Sequence, residues 1–186
     1  MSGSQDPSKP APSTSFSDWN SDSTPTHTSV PGSFMGNHSA SRSFRSFTVD
    51  SVPEHDGIYM IRHIDSGKAI TAVDGQLTLV RDPGTRGGWQ WKCEELHDGW
   101  VGFRDVAFHK YLGRDNKGGF RAEANKMKDW ESFVLRPREA GGYNLLAKYW
   151  SMLKGMAVAD SDGTSPKLVE VPTAQEAARW EFVSVD

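Results

Sequence analysis

A single cysteine, Cys93, stands in 186 residues, so no intramolecular disulfide can form, which agrees with a reducing compartment. Long apolar runs are missing too. No stretch approaches the roughly 20 residues that a membrane-spanning helix needs, and the amino end, MSGSQDPSKPAPS, has neither the basic start nor the apolar segment of a secretory signal. These absences lead to the expectation of a cytoplasmic protein without membrane insertion. Positive charge is not in excess either. A formal net charge of -3 and a pI near 6.1 argue against wholesale counterion-driven binding to nucleic acid, and no sequence-specific nucleic-acid partner is expected. Hydrophobic residues make up 36% of the chain, a low share for a uniformly packed globule, so part of it is expected to lie outside any core.

The residue sets that carry catalysis are also missing. The stretch HKYLGRDNKGGFRAEA, residues 109–124, has glycines and cations but no Gly-Lys-Ser or Gly-Lys-Thr at P-loop spacing, so Gly118 and Gly119 are read as hairpin-turn residues. The six histidines show no HxxxH or Cys-His spacing and give no metal set; His63 and His109 fall near hairpin turns, where a solvated imidazole is expected. Cys93 alternates with Trp91 and reads as a small buried filler rather than a nucleophile. Glu94 and Glu95 are adjacent, so on a strand they point to opposite faces and cannot act as an acid/base pair. No enzyme, metal or cofactor is expected.

What is present divides the chain in two. Residues 1–47 are dominated by Ser, Thr, Pro and Gly, with apolar residues scattered singly, and cannot bury enough surface to offset their ordering entropy; a disordered tail is expected there. Within it, Arg42-Ser43-Phe44-Arg45-Ser46 puts serines just after arginines, where added phosphate would reverse the local charge. From residue 48 to 186, aromatic and β-branched residues become frequent and Gly or Asp-Gly turns recur every few residues, the pattern of an all-β domain. Only TAQEAA, Thr173 to Ala178, looks helical.

The second region repeats. GIYMIRH, GWVGFRD and GYNLLAK begin at Gly57, Gly99 and Gly142, 42 and 43 residues apart, and the lysine-led segments at Lys68, Lys110 and Lys154 keep nearly the same period. The units run over about 57–98, 99–138 and 139–186. Three copies of four short strands can close a six-stranded barrel capped by three hairpins about a pseudo-threefold axis, which is the β-trefoil. A propeller needs at least about four blades, and a sandwich does not call for a threefold repeat. Ile70, Leu112 and Met156 occupy equivalent positions, as do Leu79, Phe120 and Val169, and all six are predicted core. So are Trp89, Trp130 and Trp180, each close to a second aromatic residue.

The run Lys110-Tyr111-Leu112-Gly113, with Asp115, Gly118-Gly119 and a strand ending in Ala122 and Ala124, resembles the fascin-type trefoil repeat. Gly67-Lys68-Ala69-Ile70 with Asp74-Gly75, and Lys154-Gly155-Met156 with Asp162-Gly163, match it more loosely. The resemblance covers about residues 55–186 and implies an intracellular, non-enzymatic interaction module, with filamentous actin among the partners. Fascins carry several trefoils in tandem and this chain has one. The Gln-x-Trp of ricin-type lectin repeats is missing from all three units.

Two surfaces are candidate sites. Residues 99–138 carry nine Lys/Arg against five Asp/Glu on an otherwise acidic domain, so Arg114, Lys117, Arg121, Lys126 and Lys128 form a basic sector suited to an acidic protein surface. Lys148-Tyr149-Trp150-Ser151-Met152 falls at a hairpin turn, where alternation cannot bury every apolar residue; Tyr149 and Trp150 are the alternative platform, for a glycan. The sequence leaves the partner and the oligomeric state open.

Overall fold

The computed structural model describes residues 52–84, 88–96, 98–161 and 164–185; the tail expected over 1–47, with its arginine-serine segment, lies outside them. Twelve strands follow one another: β1 (Ile58–His63), β2 (Lys68–Val73), β3 (Gln76–Val80), β4 (Gln90–Glu95), β5 (Val101–Asp105), β6 (Tyr111–Arg114), β7 (Phe120–Ala124), β8 (Phe133–Pro137), β9 (Tyr143–Tyr149), β10 (Met152–Ser161), β11 (Thr164–Val171) and β12 (Trp180–Ser184). Among the described residues one 3-10 turn, Asp129–Glu131, precedes β8.

Their pairing closes a ring. β1 pairs β4 (Tyr59 with Trp91), β4 pairs β5 (Cys93 with Phe103), β5 pairs β8 (Val101 with Phe133), β8 pairs β9 (Leu135 with Leu145), β9 pairs β12 (Tyr143 with Trp180), and β12 returns to β1 (Phe182 with Ile61), all antiparallel. The remaining strands form three hairpins, β2–β3, β6–β7 and β10–β11, the second and third strands of each unit. Neighbouring hairpins touch through Gln76 with Arg121 and Gly119 with Val169. This is the six-stranded barrel and three-hairpin cap of a β-trefoil, and it leaves no long edge in the ring.

Strict alternation builds the barrel wall: Tyr59 and Ile61 of β1, Trp91 and Cys93 of β4, and Trp180 and Phe182 of β12 point inward, with polar or half-buried residues between them. Ile70, Leu112 and Met156 are all fully buried, as the repeat requires. The indole N–H of Trp91 donates to the Ile70 carbonyl at 3.0 Å, and that of Trp180 donates to the Met156 carbonyl at 3.4 Å. Shared bonding makes Trp91 and Trp180 the equivalent pair, while Trp89, also buried, lies two residues ahead of it.

Repeat 2 breaks the symmetry, and three expectations are corrected. Trp130 is not core: it is 39% exposed, and Phe133, opposite Val101, takes the place that Trp91 holds opposite Tyr59 and Trp180 opposite Tyr143, with the buried Glu131 two residues ahead of it. Gly113 makes room for that carboxylate, since a Cβ there would lie 3.0 Å from Glu131 Cγ. In repeat 3, Leu168 and not Val169 is buried: between the pairs Ala159 with Lys167 and Ser161 with Thr164, β11 carries one residue more than β10, which shifts the register. TAQEAA is a turn rather than a helix: the Thr173 hydroxyl donates to the Glu176 carboxylate at 3.1 Å, and the turn at 174–176 leads through 177–179 into β12.

The two chemical readings of single residues divide. Cys93 is fully buried and burial pushes its thiol up to about 12, so it fills space and does not attack. His63 is not solvated as its turn position implied. Its ring lies 5.3 Å from that of Trp180, Nδ1 is 2.9 Å from the Ser66 hydroxyl, and burial lowers its pKa, partly offset by Asp65.

Candidate functional site

The hairpin β9–β10 turns in two residues, since Tyr149 pairs Met152. Such tight loops need a positive φ at the first central residue, a place where glycine or asparagine is usual. Here it is Trp150, at φ 54°. A bulky residue in the left-handed region is strained, and the product of that strain is an indole 84% exposed, beside Met152, itself 59% exposed.

Tyr149, the other predicted platform residue, is half-buried, and cations lie over its ring: the Arg114 guanidinium carbon is 4.3 Å from the centroid and Lys154 Nζ 3.8 Å. The same guanidinium lies 4.8 Å from the Trp130 ring. Lys148 continues the pattern, 5.2 Å from the Trp100 ring and 2.8 Å from Asp129 Oδ1. The hairpin of repeat 3 and the 3-10 turn of repeat 2 thus meet in one cluster of aromatic rings and charges, with Trp130 and Trp150 opening to solvent.

Arg114 explains why this cluster belongs to one side of the pseudo-symmetric fold. It sits two residues after Leu112, where β2 has Ala72 and β10 has Val158. A guanidinium in a place built for a small apolar group has to be compensated. Glu170 of β11 supplies the charge, with Oε1 3.0 Å from Arg114 and Oε2 2.9 Å from Lys154, and its side chain is only 4% exposed. Arg114 Nε has no partner among the described residues.

The basic sector is therefore divided. Arg114 is 6% exposed and directs its charge inward. Arg121 pairs with Glu123 at 2.9 Å. Lys117, Lys126 and Lys128 are exposed and have no ion pair among the described residues. Sequence reasoning missed Trp130, Lys154 and Glu170 as parts of the cluster. The repeat alignment had placed Trp130 inside, and the pairing of Arg114 with Glu170 joins two units whose relation only the threefold closure reveals. An arginine at a position held by Ala72 and Val158 in the other copies was the available signal.

No group of three or more His, Cys, Asp or Glu able to hold a metal occurs among the described residues, and none of their helices is long and apolar enough to cross a membrane. Comparison of the sequence with protein-family profiles and with curated proteins finds no match. Solved structures do match. A designed threefold-symmetric protein, ThreeFoil, aligns at TM-score 0.56 and 20% identity, over 70% of this chain and 99% of its own. A ricin B-like lectin of Macrolepiota procera in complex with lactose aligns at 0.53 and 13%, over 71% and 98%. A GH43 β-1,3-galactosidase aligns at 0.61 and 15%, over 75% of this chain but only 29% of the enzyme, so the likeness spans under a third of that protein. At 20% identity or less these likenesses establish architecture alone, and the architecture is that of a single β-trefoil.

Proposed function

We propose that this protein is a non-catalytic binding module whose trefoil recognises carbohydrate at the β9–β10 hairpin. The observation that carries the reading is Trp150, an indole 84% exposed and held there by a left-handed backbone that a tryptophan does not adopt without strain. A flat apolar face flanked by hydrogen-bonding groups suits the mixed surface of a sugar ring, and in the same cluster Lys128 and Asp129 line a pocket with Trp130 while Lys148 bonds Asp129. Two of the structural neighbours are a lectin in complex with lactose and a β-1,3-galactosidase, which favours a glycan over the actin reading. The test is a glycan array, led by β-galactosides, probed with the protein and with Trp150→Ala. Saturable signals that persist at high salt and vanish in the variant support the reading; an array without signal rejects it.

A second reading, drawn from the fascin-type resemblance, uses the exposed Lys117, Lys126 and Lys128 on an acidic protein surface such as filamentous actin, in the cytoplasm. Its support is that these three cations have no ion pair among the described residues. Salt-sensitive co-sedimentation with actin that is lost in the triple Lys→Glu variant is its expected result. Sedimentation indifferent to those changes counts against it.

A further inference from the structure

A cavity of about 270 Å³ lies where repeats 1 and 2 meet, away from the hairpin of Trp150. Its lining includes Asp74 and Gly75 from the β2–β3 turn, Asp105, Phe108 and Lys110 from the β5–β6 connection, and Glu123 of β7. The volume is just under the ~300–1,000 Å³ of pockets for drug-sized ligands, so it suits one group of side-chain size.

Asp105 is fully buried in this wall. Its Oδ1 accepts the backbone N–H groups of Ala107 at 2.7 Å and Phe108 at 2.8 Å, which sets the turn. Its Oδ2 has no hydrogen-bond partner among the described residues. Turn formation accounts for one oxygen and leaves the other, and an unmatched buried acceptor is costly enough to need an explanation. Phe108, positioned by that same carboxylate, is 56% exposed. The charge of the lining leans negative: Asp74 and Asp105 stand against Lys110, whose Nζ is already bonded to the Asn125 side chain, while Glu123 is paired with Arg121.

A ligand that fits must donate to Asp105, bring positive charge, and lay a short apolar arm or its cationic head against an aromatic ring. We propose that this cavity binds a cationic group on a short alkyl chain, a primary ammonium or a guanidinium, with Asp105 as its counter-ion and Phe108 as its aromatic face. That chemistry has two sources, a free polyamine or a lysine or arginine side chain of a partner protein. The site is independent of the carbohydrate reading, which rests on other residues.

The experiment follows backbone amide signals of the isotope-labelled full chain by nuclear magnetic resonance during titration with 1,5-diaminopentane, N-acetyl-lysine amide, N-acetyl-arginine amide and, as a neutral match, 1,5-pentanediol. The expected result is saturable shifts at Asp74, Gly75, Phe108 and Lys110 with at least one cation and none with the diol. Saturation by the diamine alone identifies the free polyamine, and saturation by either amino-acid amide identifies the protein side chain. Asp105→Asn keeps the acceptor that forms the turn and is expected to weaken binding at least tenfold. If that variant does not fold, Phe108→Ala and Asp74→Asn, which leave Asp105 in place, are each expected to weaken binding severalfold, and Trp150→Ala to leave it unchanged. Equal shifts from pentanediol, or no saturable shift with any cation up to about 10 mM, well beyond the millimolar affinity that corresponds to about 4 kcal/mol, overturn the proposal.

Discussion

Arg114 and Glu170, from the hairpins of different repeats, form an ion pair of 3.0 Å with side chains 7% and 4% exposed. Removing one member of a buried pair strands the other. Lys154 still reaches Glu170 at 2.9 Å, so Arg114→Ala is expected to destabilise the fold by about 3 kcal/mol, the lower end of the range for such breaks. Urea denaturation with an unchanged slope and a lowered midpoint checks it. Loss of actin sedimentation in an Arg114 variant would therefore report on folding, and only Lys117, Lys126 and Lys128 give a clean test of that surface.

Strain at Trp150 separates stability from binding. Trp150→Gly relieves a left-handed φ at an exposed position, so stability is expected to hold or rise by up to about 1 kcal/mol. Affinity for a glycan is expected to fall at least about tenfold, as for an aromatic anchor. Thermal melting and isothermal titration of the same variant read the two effects.

Tryptophans at nominally equivalent places are expected to differ in worth. Trp180 is fully buried and bonded to Met156, so Trp180→Ala should cost about 3–5 kcal/mol. Trp130→Ala, at 39% exposure, should cost no more than about 1 kcal/mol and leave the barrel intact. Denaturant midpoints of the two variants, side by side, decide.

Acid should weaken the fold through His63. Burial holds its pKa below the ordinary value of 6.5, so its contribution is complete above that value and is lost as the pH falls through the lower folded value. Asp105 and Glu131 act in the opposite sense, because burial raises both carboxyls and their protonation favours the folded form. The difference between the protein and His63→Gln isolates the imidazole: it should shrink between about pH 8 and about pH 5.

The fold was legible because a threefold repeat is a long-range signal written three times. Ile70, Leu112 and Met156 keep their places through every copy, and closing the ring requires only that each unit do the same thing. What could not be read is where a copy departs from the others. Phe133 stands at a tryptophan's place, and Trp130, three residues ahead of it, attracted the alignment instead. Val169 and Leu168 differ by one residue, the interval at which a strand's faces exchange, and an extra residue in β11 itself decides between them. Arg114 looked like a surface cation because its partner, Glu170, is brought to it by the packing of repeat 3 on repeat 2. The exposure of a residue near Tyr149 was foreseeable from a turn that is too short to hide everything; that it is Trp150 depends on a backbone angle.

The β1–β12 pairing, with Tyr59 opposite Ser184, has a consequence for biosynthesis. Both β1 and β9 wait for the same late partner, so a nascent chain that has reached β11 still shows two unsatisfied strand edges. Closure joins segments far apart in the chain and is expected to be slow. Until residues 180–184 leave the ribosome, those edges are where a chaperone, or another unfinished copy, can add itself.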